Sequence, residues 1–163
     1  MNVNEIIEKL NLEPHPEGGF FRETYRSELS ITPNTLREYK ETRNIATVIY
    51  FLLKSGQKSA FHRLKTDEFW YYHQGSPLAV YIIHPDGRLQ EVTLGNDFSS
   101  KQTPQLLLPA GTWFAAKCTE PQSFTLISCS VSPGFDFHDF ELAEREELTK
   151  EFPAHQKIIR ELT

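Results

Sequence analysis

Cysteine is scarce. Cys118 and Cys129 are the only two in 163 residues and form no CxxC pair, which excludes a disulfide scaffold and leaves both as reduced thiols. Long apolar runs are missing too. The longest, residues 45–53, spans nine positions and includes Thr47 and Tyr50, less than half of what a membrane-spanning helix needs, so it reads as a buried strand. Basic charge is in deficit: 17 Lys and Arg against 22 Asp and Glu leave a net charge of −5, with no basic stripe to attract a phosphate backbone. Nucleic acid is therefore not an expected partner, and neither is a membrane. Residues 1–5 (MNVNE) carry neither a basic stretch nor an apolar one, so the expected location is the cytoplasm. Internal repeats, low-complexity tracts and Gly/Ser linkers are also lacking, which makes residues 1–163 one domain.

What is present is patterned. Asn2 with Glu5 three residues later forms a capping arrangement, and Ile6, Ile7 and Leu10 give one apolar face before Pro14 and Pro16 end the helix. Leu142, Arg145, Glu146 and Leu148 fit a helical period again; Pro153 interrupts it, and Ile158, Ile159 and Leu162 continue in a last helix. Between them, from about 19 to 132, the period is two. Strands are predicted near 19–27, 45–53, 59–64, 68–74, 78–84, 88–94, 105–108, 112–118 and 123–131, separated by turns rich in Gly, Pro and Asp. Many short strands without intervening helices predict an antiparallel sandwich or closed barrel.

The segment 56–75 (GQKSAFHRLKTDEFWYYHQG) concentrates the chemistry. A hairpin turning around Lys65 would pair His62 with Glu68 and Ala60 with Trp70, and would put His62, Leu64, Glu68, Trp70 and Tyr72 on one face. An imidazole facing a carboxylate inside a barrel suits acid–base chemistry or half a metal site.

This run resembles the first motif of the cupin superfamily, G-x5-H-x-H-x3-E-x6-G, matching it at Gly56, His62, Glu68 and Gly75. Leu64 stands where metal-binding cupins carry a second histidine. Residues 109–114 (PAGTWF) resemble the core of the second motif, with Phe114 at the third histidine position and Cys118 at the usual asparagine. With residues 14–27 (PHPEGGFFRETYRS) and 132–142 (SPGFDFHDFEL), the chain resembles an uncharacterised, RmlC-like cupin subfamily of bacterial and fungal proteins. The resemblance implies an all-β fold, a double-stranded β-helix or jelly-roll barrel with its core at about 19–132, a short N-terminal helix and a C-terminal helical extension. It also implies a homodimer.

Metal binding needs three or four ligands, and His62 and Glu68 alone stand at the motif positions; His15 or His138 would have to come from elsewhere. No cofactor is expected, a divalent metal at His62 and Glu68 being the residual alternative. The metal-free reading makes His62 the general base, Glu68 its orienting partner or the acid, and Tyr72 a second proton donor, resembling sugar-nucleotide epimerases of the cupin class. Arg22 or Arg26 is expected to clamp an anionic group, and Trp70 and Phe114 to line the pocket. Alternation puts Arg22, Thr24 and Arg26 on one face of their strand and Phe21, Glu23 and Tyr25 on the other. The expected ligand is a small anionic or cyclic metabolite, and the expected activity a metal-independent isomerase or epimerase. The alternatives are a non-catalytic binding protein on a vestigial site and a metal-dependent cupin enzyme.

Overall fold

A computed structural model describes residues 2–35 and 39–163. The elements run α1 (Val3–Leu10), β1 (Glu13–Pro14), β2 (Phe20–Arg26), β3 (Ser30–Ile31), β4 (Arg43–Asn44), β5 (Thr47–Lys54), β6 (Lys58–Leu64) and β7 (Glu68–Gly75). They continue with β8 (Leu78–Ile83), β9 (Leu89–Leu94), β10 (Gln105–Leu108), β11 (Trp113–Cys118), β12 (Phe124–Val131), β13 (Phe140–Leu142), α2 (Arg145–Glu151) and α3 (Gln156–Glu161). All nine predicted strands are present within a few residues of their predicted ends. Asn2 caps α1 as its spacing predicts: its side chain accepts from the backbone of Asn4 and Glu5, and Glu5 reaches back to the Asn2 amide.

Two antiparallel sheets face each other, one ordered β1-β2-β5-β12-β7-β10 and the other β13-β6-β11-β8-β9. Three apolar layers hold them. The inner faces close on a cluster that includes Phe51, Leu53, Trp70, Phe114 and Ile127. Leu52, between two residues of that cluster, points the other way and packs with Leu126 under Ile6 and Leu12 at the N-terminal helix. The apolar run at 47–54 thus reflects a central strand buried on both faces. On the opposite outer face, Phe61, Ile83, Trp113 and Ala115 are covered by Leu148, Phe152, Ile159 and Leu162 of the C-terminal extension. No helix among the described residues is long and apolar enough to cross a membrane.

The expected hairpin between the His62 and Glu68 strands does not form. β6 pairs with β11 and β13, whereas β7 pairs with β12 and β10, so the turn at Lys65 carries the chain from one sheet to the other. His62 lies opposite Phe114 and Leu142, and Glu68 opposite Val131 and Leu108. Strand periodicity alone cannot distinguish a hairpin from a sheet crossing with a similarly tight turn.

Ile159 is fully buried beneath the five-stranded sheet. Ile159→Ala is expected to lower unfolding stability by about 2–5 kcal/mol in urea titration, since it opens a cavity between helix and sheet. Leu29→Ala, at a side chain 69% exposed, should stay within about 0.5 kcal/mol of the parent.

Candidate functional site

The residue at the centre of the site comes from the loop between β1 and β2. That loop folds on itself through His15 N–H to the Gly19 carbonyl and Gly18 N–H to the His15 carbonyl. It then lies against β6 of the other sheet. Gly18, at φ +108°, sits so near the Lys58 carbonyl that a Cβ would be 2.1 Å from its oxygen, so only glycine fits. The approach is fixed by the Ala60 N–H donating to the Glu17 carbonyl at 2.8 Å, and it drives the Glu17 side chain inside, where it is 8% exposed.

Three groups receive that carboxyl. Ser59 Oγ donates to Oε1 at 2.7 Å, His62 Nε2 lies 3.1 Å from Oε2, and His15 Nδ1 lies 3.4 Å from the same oxygen. Strict alternation would put Ser59 and His62 on opposite faces of β6. A bulge absorbs one residue between them: Phe114 pairs with His62, but Ala116 pairs with Ser59. Both side chains therefore turn to Glu17, while Phe61 points outward under the C-terminal helices.

The hydrogen bonds place the protons. His62 Nδ1 faces the Ala60 carbonyl at 2.7 Å and so carries the ring proton, which leaves Nε2 as an acceptor. Burial lowers the His62 pKa to about 4, outweighing the backbone bond that raises it, so the ring is neutral at ordinary pH. Burial raises Glu17 to about 7, against the opposing pulls of His15 and the Ser59 bond. Below that value the Glu17 O–H donates to His62 Nε2; near neutrality the proton is poised to leave. His15 is also lowered, first by burial, and its Nδ1 accepts the Glu17 amide at 3.3 Å.

Glu68 is a second buried carboxyl in the same cavity, 6% exposed. Burial, reinforced by the charge of Glu17, raises it to about 8, although Trp70 and Cys129 pull the other way. The Cys129 thiol is held well above its usual value by burial first and then by the two carboxyls. The Trp70 indole Nε1 is buried without a hydrogen-bond partner among the described residues, so its influence on the neighbouring acid falls short of a formed bond.

These groups line a cavity of about 420 Å³. Its walls are Phe21, Phe51, Trp70, Phe135, Phe137 and Phe140, with Glu23, Arg26, Asp136 and His138 among the polar residues that line it. Of the predicted site residues, the fold brings His62, Glu68, Trp70 and Arg26 to this cavity. Phe114 stands behind it, edge-on to His62 at 4.2 Å and to Trp70 at 5.8 Å. Tyr72 and Arg22 do not line it. The Tyr72 hydroxyl donates to the Gly75 carbonyl, and Arg22 binds the Leu10 carbonyl beside α1.

Arg26 reaches the cavity because Thr24 is an extra residue in β2: Glu23 pairs with Ile49 and Tyr25 with Val48. This corrects the expected alternation and puts Phe21, Glu23 and Arg26 together. The Arg26 fork is filled by the chain's own Glu23 at 2.7 and 2.9 Å, and it also donates to Asn44 and the Phe135 carbonyl. Sequence reasoning assigned no role to Glu17 or to the phenylalanines of 135–140. The signal for them was there, in the two specific segments flanking the barrel motifs.

A metal centre does not fit these side chains. Both nitrogens of His62 are engaged, and Leu64 and Phe114 are apolar where metal-binding cupins place histidines. Among the described residues no three His, Cys, Asp or Glu side chains converge in a way that could hold a metal ion.

Comparison with known proteins places this geometry in context. The family described as "Cupin superfamily (DUF985)" matches residues 4–143. The uncharacterized protein YML079W of Saccharomyces cerevisiae is 27% identical over 96% of this chain and 82% of its own length. Among solved structures, protein SO0799 from Shewanella oneidensis superposes with a TM-score of 0.91 at 41% identity, covering 100% of this chain and 98% of that one. A hypothetical protein from Leishmania major gives 0.89 at 30% identity, covering 100% and 99%. Oxalate decarboxylase from Bacillus subtilis shares the fold at a TM-score of 0.57 and 17% identity, over 92% of this chain and 36% of that one.

The two carboxyls make stability depend on pH. Unfolded, both release protons near 4.5; folded, they do so near 7 and 8, so the folded state holds protons that the unfolded state has lost and stability falls as pH rises. His62 and His15, both lowered by burial, act oppositely, but only below about 6.5. From pH 6.5 to 8 the carboxyls act alone. Urea unfolding is expected to show stability declining there, by at most about 1.4 kcal/mol per pH unit for each group. Glu68→Gln should flatten the upper part of that decline; a wild-type minus variant difference that is independent of pH would refute the assignment.

Proposed function

The chain belongs to the cupin superfamily, in its DUF985 family, and from that premise we propose that it is a metal-independent isomerase or epimerase of a small cyclic metabolite. The carbohydrate class is the one its resemblance to cupin epimerases implies. One observation carries the reading: Glu17, a carboxyl that titrates near 7, is held against a neutral imidazole inside an aromatic cavity. A general base works best when its pKa lies near the working pH, and this one is tuned there by burial.

Each residue then has a role. Ionised Glu17 takes a proton from a C–H bond of the ligand, and that bond's electron pair delocalises into an adjacent electron-withdrawing group. His62 Nε2 accepts a hydrogen bond from the Glu17 O–H so formed, and Ser59 holds the other oxygen in place. The proton returns to a neighbouring carbon to give an isomer, or Glu68 delivers one to the opposite face of the same carbon to give an epimer. Glu68 replaces Tyr72 as the second proton carrier because it lines the cavity and Tyr72 does not. His62, expected as the base, becomes the partner of the base: its pKa near 4 makes it too weak a proton acceptor to lead. Two free thiols suit a cytoplasmic protein, and a homodimer completes the proposal.

A non-catalytic binding protein is the second reading. It is favoured by the way Glu17, Ser59 and His62 satisfy one another, as a purely structural network does.

Deuterium uptake separates the two. Incubated in D2O with a panel of nucleotide-linked sugars, free sugars and cyclic ketones, the protein should place deuterium on carbon in one class, read by mass spectrometry. Glu17→Gln should slow that uptake by about 10²–10⁴-fold, and EDTA should leave it unchanged. A ligand that raises the melting temperature without any uptake would favour the binding protein, and uptake that Glu17→Gln leaves intact would remove Glu17 from the mechanism.

A further inference from the structure

Acid outnumbers base in the cavity. Among the described residues, the carboxyls of Glu17, Glu23, Glu68 and Asp136 line it against one guanidinium, that of Arg26, and no lysine. The guanidinium is spent on Glu23, at 2.7 and 2.9 Å. Two of the other carboxyls also have partners of their own: Glu17 has Ser59 and His62, and Asp136 has the His138 ring at 2.8 Å. Glu68 differs. It is 6% exposed, it lines the cavity, and the side chains that act on it are a carboxyl, an indole and a thiol, with no cation among them.

A buried carboxyl without a counter-charge is costly, and a ligand can supply the charge that the described residues do not. That imbalance selects among ligands. A carboxylate or phosphate would enter among acids with no free guanidinium or lysine to receive it, whereas an ammonium group would place its N–H bonds on carboxylate oxygen. The aromatic walls act in the same direction, since ring faces attract an organic cation that has left water. Hydroxyls on the ligand are admitted as well, because Glu23, Thr47, Asp136 and His138 bring polar atoms to the same lining.

We propose that Glu68 is the counter-charge of a cationic ligand, and that the small cyclic metabolite of this site carries a protonated amine, as an amino sugar or a cyclic amino ketone does. The inference rests on the acid–base reading of Glu17 and narrows it. An ammonium group beside Glu68 stabilises the ionised carboxylate, which then has no proton to deliver. The route that remains is the one in which Glu17 returns its own proton to a neighbouring carbon, giving an isomer.

Cyclohexylamine, cyclohexanol and cyclohexanecarboxylate share one ring and differ in charge, and they are the probes. They are titrated by calorimetry at about pH 8.5, where the amine is still protonated. The amine is expected to bind about tenfold more tightly than the alcohol, and the carboxylate more weakly than either. Glu68→Gln should weaken the amine alone, bringing it to the affinity of the alcohol; if that variant fails to fold, the order of the three probes on the unaltered protein still decides. Equal binding of amine and alcohol, tighter binding of the carboxylate, or an amine preference that survives Glu68→Gln would overturn the counter-charge. With amino sugars and amino ketones added to the D2O panel, amine preference without uptake from any compound would sink the isomerase reading and keep the cation site. Uptake that depends on Glu17, with amine and alcohol bound equally, would do the reverse.

Discussion

Insertion of the Glu17 carboxyl between Ser59 and His62 ties the two sheets together at the point where the cavity begins. The loop that carries it hangs from the six-stranded sheet, its receivers lie on the five-stranded one, and glycine at position 18 permits the contact distance. Once the carboxyl is inside, burial sets its chemistry. Burial keeps water from the neighbouring side chains of the cavity as well, so the neutral forms of Glu17, Glu68, His62 and Cys129 are all favoured together.

That common preference gives the cavity its character. His15, Glu17, His62, Glu68 and Cys129 share a small space, and burial favours the uncharged form of each, with protons distributed among oxygen, nitrogen and sulfur. The charges that do persist pair among themselves. Arg26 is bound to Glu23, and Arg43 forks onto Asp139 beside the 135–140 strap that forms one wall. The interior proton donors therefore come from one cause, the withdrawal of these side chains from water.

Much of the architecture was legible in the residues because it rests on local physics. Alternation and turn chemistry marked the nine long strands, the Asn2–Glu5 spacing marked the first helix, and Pro153 marked the break in the C-terminal extension. Motif spacing also singled out His62 and Glu68, which do share the cavity. Alternation also put His62, Leu64, Glu68 and Trp70 on one side, and all four line the cavity; what failed were the steps that needed an unbroken register. Bulges in β2 and β6 shifted the phase of alternation, bringing Arg26 beside Glu23 and Ser59 beside His62. The Lys65 turn, read as a hairpin, crosses between sheets.

By itself the sequence determined the fold class, the helices at both ends and the concentration of polar groups near residues 15–26 and 56–75. Period, capping and turn preference act over a few residues and leave their mark in order along the chain. Tertiary structure alone decided that Glu17 meets His62, forty-five residues away, that Tyr72 and Arg22 stay outside, and that phenylalanines from 135–140 close the wall. Such contacts depend on where two sheets lie against each other and on single-residue bulges. The proton affinities they create exist only after burial has removed the water.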